Sequence, residues 1–158
     1  MANSVSEVLL TESALQTPEQ DVDPSTSLRT GLAVGAIVDF WGVVRKLEDG
    51  REIEGIDYEA HVAMAEHQLK LIANAAVEKF QLKRVQLHHR IGFVRAGEPS
   101  LFLRVCAQHR GAAFDASKWI VDELKKKVPI WKKPTFGPSR TGTKATAGKP
   151  GLASITAK

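Results

Sequence analysis

Five lysines surround a short apolar segment near residue 130 and are the residues best suited to chemistry. The segment Leu-Lys-Lys-Lys-Val-Pro-Ile-Trp-Lys-Lys covers residues 124–133. Lysines in the last turn of a helix complement its negative end, which is the ordinary explanation for the first three. A partly buried lysine, however, has a lowered pKa and can act as an acid, a base or a nucleophile. The chemistry therefore depends on which of the five lies at the border of a buried face.

Helical spacing separates one lysine from its neighbours. A helix is predicted before the apolar segment. One stripe along it contains Phe114, Lys118, Val121 and Lys125, at steps of four, three and four residues. We therefore expect Lys125 at the border of the buried face, and Lys126 and Lys127 in water. The Pro-Ile-Trp segment is expected to anchor a loop that returns Lys132 to the same pocket.

Cations at two other places could bind an anion. Arg45 follows an apolar stretch rich in β-branched residues, where it is well placed for a phosphate but can equally be solvated. The sequence Gln-His-Arg-Gly at residues 108–111 lies where a strand gives way to a helix. Backbone N–H groups at a helix start favour anions, and arginine adds two parallel donors. On the residues alone, His109 and Arg110 either bind an anion there or merely cap the loop.

Several common kinds of catalytic site are absent from the sequence. It has no glycine-rich phosphate loop, no suitably spaced pair of carboxylates and no Gly-x-Ser-x-Gly segment. The five histidines lack the spacing of a metal site, and His88 and His89 point to opposite faces of a strand, so we expect neither a metal nor another cofactor. The lone Cys106 is interpreted as a buried structural thiol rather than a nucleophile.

Hydrophobic periodicity gives the elements that must position these residues. Alternating or β-branched apolar residues predict four strands, over residues 34–44, 53–59, 85–91 and 101–107. Apolar residues at steps of three and four predict two helices, over residues 61–80 and 112–127. The second helix must end near Val128 because Pro129 disfavours helical geometry in the residue before it. This order predicts an α+β fold with a mostly antiparallel sheet and helices packed on one face.

Composition divides the chain into three parts. The 158 residues are 43% hydrophobic, enough for one domain with its own core, which we place at residues 31–136. Residues 1–30 read as a flexible leader, and residues 137–158, rich in Gly, Pro, Thr and Lys, as a flexible basic tail. No apolar run reaches the length of a membrane span, and the acidic N-terminal residues do not resemble a targeting signal, so a cytoplasmic protein is expected.

The net charge of +4 is unevenly distributed along the chain. Nine of the 22 lysines and arginines follow Glu123, and no acidic residue does. A basic tail of this kind can bind nucleic acid, but the chain lacks the interleaved aromatic and basic residues of a single-strand-binding groove. Nucleic-acid binding through the tail stays as an alternative function.

Five segments, taken together, resemble one protein family. They are residues 35–45 (GAIVDFWGVVR), 58–66 (YEAHVAMAE), 88–92 (HHRIG), 109–116 (HRGAAFDA) and 124–133 (LKKKVPIWKK). In this order, and without large gaps over residues 33–134, they are similar to the MoaE family, the large subunit of molybdopterin synthase.

The resemblance implies an α/β hammerhead-type fold and a homodimer of large subunits within a heterotetramer. Each large subunit is expected to bind a small ubiquitin-like sulfur-carrier subunit whose C-terminal Gly-Gly thiocarboxylate enters the active site. The implied reaction transfers two sulfurs to cyclic pyranopterin monophosphate and forms the dithiolene of molybdopterin, a step of molybdenum cofactor biosynthesis.

The resemblance also implies roles for individual residues. Lys125 matches the family's catalytic lysine and Lys132 its second active-site lysine, while Arg45, His109 and Arg110 match residues that hold the pterin phosphate. The full set of implied substrate-binding residues is Val43, Val44, Arg45, His109, Arg110, Lys133 and Pro134. Which subunit of a dimer supplies each anion-binding residue is left open.

Three departures from the family pattern bear on function. Arg45 is followed by Lys-Leu-Glu-Asp, where an asparagine and another polar residue are usual, and His61 replaces an aromatic tyrosine. After Phe136, a Gly/Thr/Lys tail stands in place of an acidic, tryptophan-containing end. A catalytically silent scaffold that keeps only the carrier-binding surface is therefore an alternative to an active sulfurtransferase.

Overall fold

The structure is a computed structural model that describes residues 5–17 and 33–137 of the chain. These residues form eight strands and two helices. In chain order the elements are β1 (Ser6–Thr11), β2 (Ala36–Val43), β3 (Leu47–Glu48), β4 (Arg51–Ala60), α1 (Val62–Phe80), β5 (Arg84–Arg90), β6 (Gly92–Arg95), β7 (Pro99–Ala107), α2 (Arg110–Lys127) and β8 (Ile130–Phe136). Only the pairing of β1 with β5 is parallel among these strands, which confirms the predicted α+β fold with a mostly antiparallel sheet.

A four-stranded sheet with the order β1-β5-β7-β2 forms the first layer. Alternation along its strands directs every second side chain toward α1 and α2, which cover one face of the sheet. Apolar residues from both layers form the larger core, whose fully buried members include Leu69, Leu87, Leu103, Val105 and Ile120. The predicted packing of the helices on one face of a sheet is confirmed.

The long strand β4 organises a second sheet. It pairs with β3 through a tight turn at Asp49 and Gly50, and with both β6 and β8 further along. Both turn residues have positive φ, at 50° and 76°, which is the geometry that joins two antiparallel strands closely. The inward side chains of this sheet form a smaller core that includes Ile53, Ile56, Tyr58, Val94 and Ile130.

The connection between α2 and β8 is two residues long. As predicted, α2 ends just before Val128 and Pro129, and Val128 donates its N–H to the carbonyl of Leu124 at 3.1 Å. The predicted loop beyond this point is wrong, because residues 130–136 pair with β4 as a strand. Pro134 is tolerated there because β8 pairs with β4 alone among the described strands, and an edge strand need not donate every N–H.

The four predicted strands and two predicted helices are confirmed to within two residues at each end. The strands β1, β3, β6 and β8 have no counterpart in the prediction. Residues 6–11 lie in the predicted flexible leader, and this part of the prediction is wrong: they form β1, where Glu7 accepts a 2.8 Å hydrogen bond from Gln86. No local pattern indicates such a partner 79 positions away.

Most of the remaining predicted leader and tail, at residues 1–4, 18–30 and 138–158, lies outside the described residues, as do residues 31 and 32 of the predicted domain. The limits of 31 and 136 for the domain therefore stay predictions. No helix in the two described stretches is long and apolar enough to cross a membrane.

Candidate active site

Lys132 is the centre of a cluster of charged side chains. It is half-buried on the inward side of β8, directly opposite Tyr58 of β4. Burial lowers the pKa of its ammonium group below the ordinary value; the positive charge of Lys125 lowers that pKa further, Glu48 raises it, and Arg45 lowers it. Coulombic effects of this kind weaken with distance, so Lys125, Glu48 and Arg45 each lie near enough to Lys132 to act on its charge.

Lys125 lies in the last turn of α2 and is exposed. The expectation of a partly buried Lys125 is therefore wrong, because this turn extends past the last core residue, Leu124, and the half-buried lysine of the cluster is Lys132. Residues 125–131 line an open cleft beside the cluster. Lys125 is one of the residues that line this cleft, and Lys132 follows the last of them, Trp131.

The two lysines after Lys125 are exposed, as predicted. Lys127 forms an ion pair of 2.7 Å with Glu123, one helical turn earlier. Such i, i+4 pairs and the negative end of the helix account for Lys126 and Lys127 as ordinary surface charges.

Arg45 emerges from the first sheet immediately after β2, with 79% of its side chain exposed. Its guanidinium lies 3.7 Å from the carboxylate of Glu48. The preceding Val44 is buried and fixed at both backbone groups, since its N–H donates to Glu98 at 3.0 Å and its carbonyl accepts from Gly97 at 2.8 Å. Val44 therefore anchors the point where Arg45 leaves the sheet, and the neighbouring Val43 is exposed.

Glu48 belongs to the site but was not predicted as a site residue. The sequence Glu-Asp-Gly at residues 48–50 is typical of a turn, and the structure confirms that turn between β3 and β4. The same turn brings the Glu48 carboxylate close enough to act on the pKa of both Tyr58 and Lys132. The sequence signal was the departure from the family pattern after Arg45.

Tyr58 and His89 form an uncharged layer beneath Lys132. Both are at least 95% buried, and their rings meet edge to face with centroids 5.4 Å apart. Burial lowers the pKa of His89 to about 4; a hydrogen bond to the carbonyl of Arg90 opposes this effect, and the charge of Lys132 adds to it. Burial also raises the pKa of Tyr58. Both rings are therefore neutral near pH 7, and neither was predicted as part of the site.

His109 and Arg110 lie at the opposite end of α2 from the lysines. An α-helix of 18 residues is about 27 Å long. The two side chains are exposed, and His109 makes no capping hydrogen bond through its side chain. The structure therefore does not bring these two predicted anion-binding residues to the Lys132 cluster of the same chain.

Lys133 and Pro134 point to opposite faces of β8. Pro134 lies on the inward face with Lys132 and opposite Ile56. Lys133 points outward and forms an ion pair of 2.8 Å with Glu59, and this hydrogen bond raises its pKa. Of these two predicted substrate-binding residues, only Pro134 shares a face with Lys132.

Cys106 lies outside the cluster, buried in β7. Burial raises the pKa of its thiol, which disfavours the reactive thiolate. Among the residues that the structure describes, no group of three or more histidines, cysteines or carboxylates is arranged to hold a metal ion.

Comparison with known proteins gives a consistent set of relatives. A family profile described as "MoaE protein" matches residues 15–127. The molybdopterin synthase catalytic subunit of Pyrococcus abyssi is 38% identical over 122 residues, which are 77% of this chain and 82% of that protein. The crystal structure of molybdopterin synthase from Staphylococcus aureus is 28% identical and superposes with a TM-score of 0.67, covering 84% of this chain and 91% of that one.

A third relative has the same fold at lower identity. It is a chain of the protein–protein complex of subunits 1 and 2 of the molybdopterin-converting factor from Helicobacter pylori, with 21% identity and a TM-score of 0.62. The match covers 87% of this chain and 92% of that one.

Proposed function

The chain belongs to the MoaE family, and from this premise we propose that it is the catalytic subunit of a molybdopterin synthase. It transfers sulfur from the thiocarboxylated C-terminus of a small carrier subunit to cyclic pyranopterin monophosphate and so forms the dithiolene of molybdopterin. The observation that carries this proposal is the half-buried Lys132, whose pKa is lowered by the charges of Lys125 and Arg45, beside an open cleft of residues 125–131.

The cluster suits the charges of the two reactants. A phosphate and a thiocarboxylate are both anions, and they repel each other unless cations neutralise them at the place where they meet. Arg45 offers a planar guanidinium for the phosphate, and its large exposed fraction leaves room for a ligand. Lys125 lines the cleft, where it can meet the carrier's thiocarboxylate.

Lys132 is the lysine best suited to proton transfer. An amine works as an acid or a base most efficiently when its pKa approaches the working pH, and burial together with two neighbouring cations moves the pKa of Lys132 in that direction. We therefore assign Lys132 the proton transfers that accompany carbon–sulfur bond formation. Lys125 is assigned the electrostatic stabilisation of the attacking thiocarboxylate.

His109 and Arg110 are separated from Lys125 by the length of α2, which points to a homodimer in which two chains share each site. His109 follows β7 and lies near the start of β2, where Gly35 donates its N–H to Ala107 at 2.9 Å, whereas Arg45 follows the end of β2. A two-fold axis that crosses β2 near its middle would place the start of α2 of one chain beside Arg45 of the other. His109 and Arg110 would then complete the partner's phosphate site.

The exposed surface of β2 fits this arrangement. It is an edge strand of the first sheet, and three of its apolar residues are 36–51% exposed: Ile37, Phe40 and Val43. An uncovered edge of this kind readily pairs with another strand. Val43, predicted as a substrate-binding residue, lies at the end of β2 nearest Arg45.

The carrier and the location complete the proposal. We propose that a small ubiquitin-like protein inserts its C-terminal Gly-Gly thiocarboxylate into the cleft of residues 125–131, as a second subunit separate from the homodimer contact. The related Helicobacter pylori structure is itself a complex of two subunits. We also propose a cytoplasmic location, which suits the buried free thiol of Cys106.

Reconstitution tests the proposed reaction. The purified chain is mixed with a thiocarboxylated carrier and cyclic pyranopterin monophosphate, and molybdopterin is measured as its oxidised fluorescent derivative. Product is expected in proportion to the thiocarboxylate consumed, with two sulfurs for each dithiolene. If the carrier binds but no product forms at any carrier concentration, the chain is a silent scaffold and the proposed activity is wrong.

A further inference from the structure

We propose that Tyr58 and His89 are positioning residues for Lys132: they form a buried, uncharged floor that keeps water from the inner side of its amine and fixes it at the cleft. The proposal deepens the function proposed above, since it concerns how Lys132 is made suitable for proton transfer. It assigns a role to two residues that touch neither reactant and act only through Lys132.

Strand register places Tyr58 directly beside Lys132. The two residues are partners in the antiparallel pairing of β4 with β8, so their side chains leave the sheet on the same face. The ring of Tyr58 is 96% buried, whereas Lys132 is only half-buried. The phenol ring therefore covers the more deeply buried side of the lysine, whose other side is partly open to solvent.

His89 supports the ring of Tyr58 from the first sheet. The imidazole meets it edge to face at 5.4 Å with an interplanar angle of 75°. Its Nδ1 lies 2.7 Å from the carbonyl oxygen of Arg90, and because a carbonyl only accepts, Nδ1 carries the proton. This hydrogen bond fixes both the tautomer and the orientation of the ring. A residue of β5 thus sets the position of a tyrosine in β4.

The hydroxyl of Tyr58 is also fixed. It is hydrogen-bonded to Ser100, and Ser100 in turn donates to the carbonyl of Gly42 at 3.4 Å. The contact with Ser100 lowers the pKa of Tyr58, but the effect of burial is larger and has the opposite sign. The phenol is therefore neutral and held in place, and burial keeps it neutral by raising its pKa.

The charged groups that face Lys132 come from four elements. Lys125 of α2 and Arg45 at the end of β2 are cations, Glu48 of β3 is a carboxylate, and His89 of β5 is neutral above about pH 4. A charged group in place of Tyr58 or His89 would change the pKa of Lys132. A buried cation there would disfavour the charged form of the lysine, and a buried carboxylate would keep the lysine protonated. The neutral Tyr58–His89 pair is the arrangement that leaves Lys132 able to exchange a proton.

Direct titration of the lysines tests this role without any enzyme assay. Lysine Cε is labelled with ¹³C in the full chain, and each ammonium is followed by NMR against pH, with the Lys132 signal assigned from Lys132→Arg. Lys132 is expected to titrate below Lys133, its neighbour on the outer face of β8. In Tyr58→Leu, which opens the floor to water, the Lys132 titration should shift upward while that of Lys133 stays in place.

Two further variants make the result decisive. Phe93→Leu removes an aromatic ring of the same β4 sheet, opposite Asp57 on its outer face, and should leave the Lys132 titration unchanged. Tyr58→Phe keeps the ring and should retain the low Lys132 titration. If Lys132 titrates with the same midpoint in Tyr58→Leu and in Phe93→Leu, the proposal is wrong. If Tyr58→Leu does not fold, His89→Ala is titrated instead, with the same upward shift expected and an unchanged Lys132 contradicting it.

Enzyme kinetics separates this proposal from the proposed function. In an active enzyme, Tyr58→Leu should lower kcat, shift the midpoint of the kcat–pH profile upward, and leave the KM for the carrier nearly unchanged. A merely structural role for Tyr58 would lower stability without moving that midpoint. Conversely, a chain in which Lys132 titrates as expected but no molybdopterin forms would leave the positioning role intact and contradict the proposed function.

Discussion

The carboxylate of Glu48 lies 3.7 Å from the guanidinium of Arg45 and also acts on the ammonium group of Lys132. The cluster therefore contains an anion of its own. A substrate phosphate that binds Arg45 has to displace this contact. Because the Arg45 side chain is 79% exposed and the two groups are 3.7 Å apart, the net strength of the pair is at most about 1 kcal/mol, and Glu48 should tune anion affinity without blocking it.

Replacing Glu48 should strengthen substrate binding. In Glu48→Gln, the KM for cyclic pyranopterin monophosphate is expected to fall by about two- to fivefold, since the competing pair is worth up to about 1 kcal/mol. The pKa of Lys132 should fall further, because the carboxylate that raises it is lost. Glu52→Gln is the control, as it breaks a pair of similar length, 3.8 Å to Lys46, in which both side chains are exposed. Equal KM values for the two variants would contradict this account of Glu48.

Mixed dimers test whether two chains share each site. Lys125→Ala and Arg110→Ala should each be inactive as homodimers. A heterodimer of the two variants, isolated through two different tags, contains one site with both residues intact and should recover about half of the wild-type activity, as two-fold symmetry requires. Activity measured on the purified heterodimer checks this. No recovery would mean that Arg110 serves the Lys125 site of its own chain.

Stability should depend on the protonation of His89. The folded-state pKa of about 4 lies below the ordinary 6.5, so the unfolded chain binds the proton more tightly. Stability from this residue is therefore present above pH 6.5 and lost as pH falls toward 4, by about 3 kcal/mol in total. In His89→Gln, urea unfolding should show a smaller loss of free energy between pH 6.5 and 4. An unchanged pH dependence would show that His89 is not buried in its neutral form.

The N-terminal strand should depend on one carboxylate. Glu7 accepts a hydrogen bond from the buried Gln86 and lies 3.8 Å from Arg84 and 3.5 Å from His88. Glu7→Ala leaves the Gln86 amide without this partner and should lower the free energy of unfolding by about 1–3 kcal/mol in urea titration. Glu12→Ala, just beyond β1, is the control and should have little effect. Similar values for both variants would mean that Glu7 does not secure β1.

The sequence alone predicted the parts of the site that depend on local spacing. Pro129 predicted where α2 ends. The family resemblance predicted the roles of Lys125 before it and Lys132 after it. Arg45 at the end of a strand was likewise predictable, because its apolar strand is continuous. The two-residue connection after α2 keeps Lys125 near enough to Lys132 for its charge to lower the pKa of Lys132.

The rest of the site depends on strand register, which no local pattern contains. Residues 130–136 were expected as a loop, so the pairing of Lys132 with Tyr58 could not be foreseen, nor which lysine is half-buried. His89 appeared only as one of two adjacent strand histidines, although its partner Tyr58 lies 31 positions earlier on another sheet. The shorter strands β3 and β6 are formed by pairing with β4 and carry too few residues for a periodic signal.

The rate of molybdopterin formation by Lys125→Ala, compared with Lys126→Ala, tests the central claim most directly. Both lysines are exposed in the last turn of α2 and contribute little to stability, so the two variants should unfold at nearly the same urea concentration. The account predicts that Lys125→Ala loses activity by about a hundredfold or more, as expected when a group that stabilises the transition state is removed, while Lys126→Ala retains most of it. Full activity of Lys125→Ala, or an equal loss in both variants, would contradict the account.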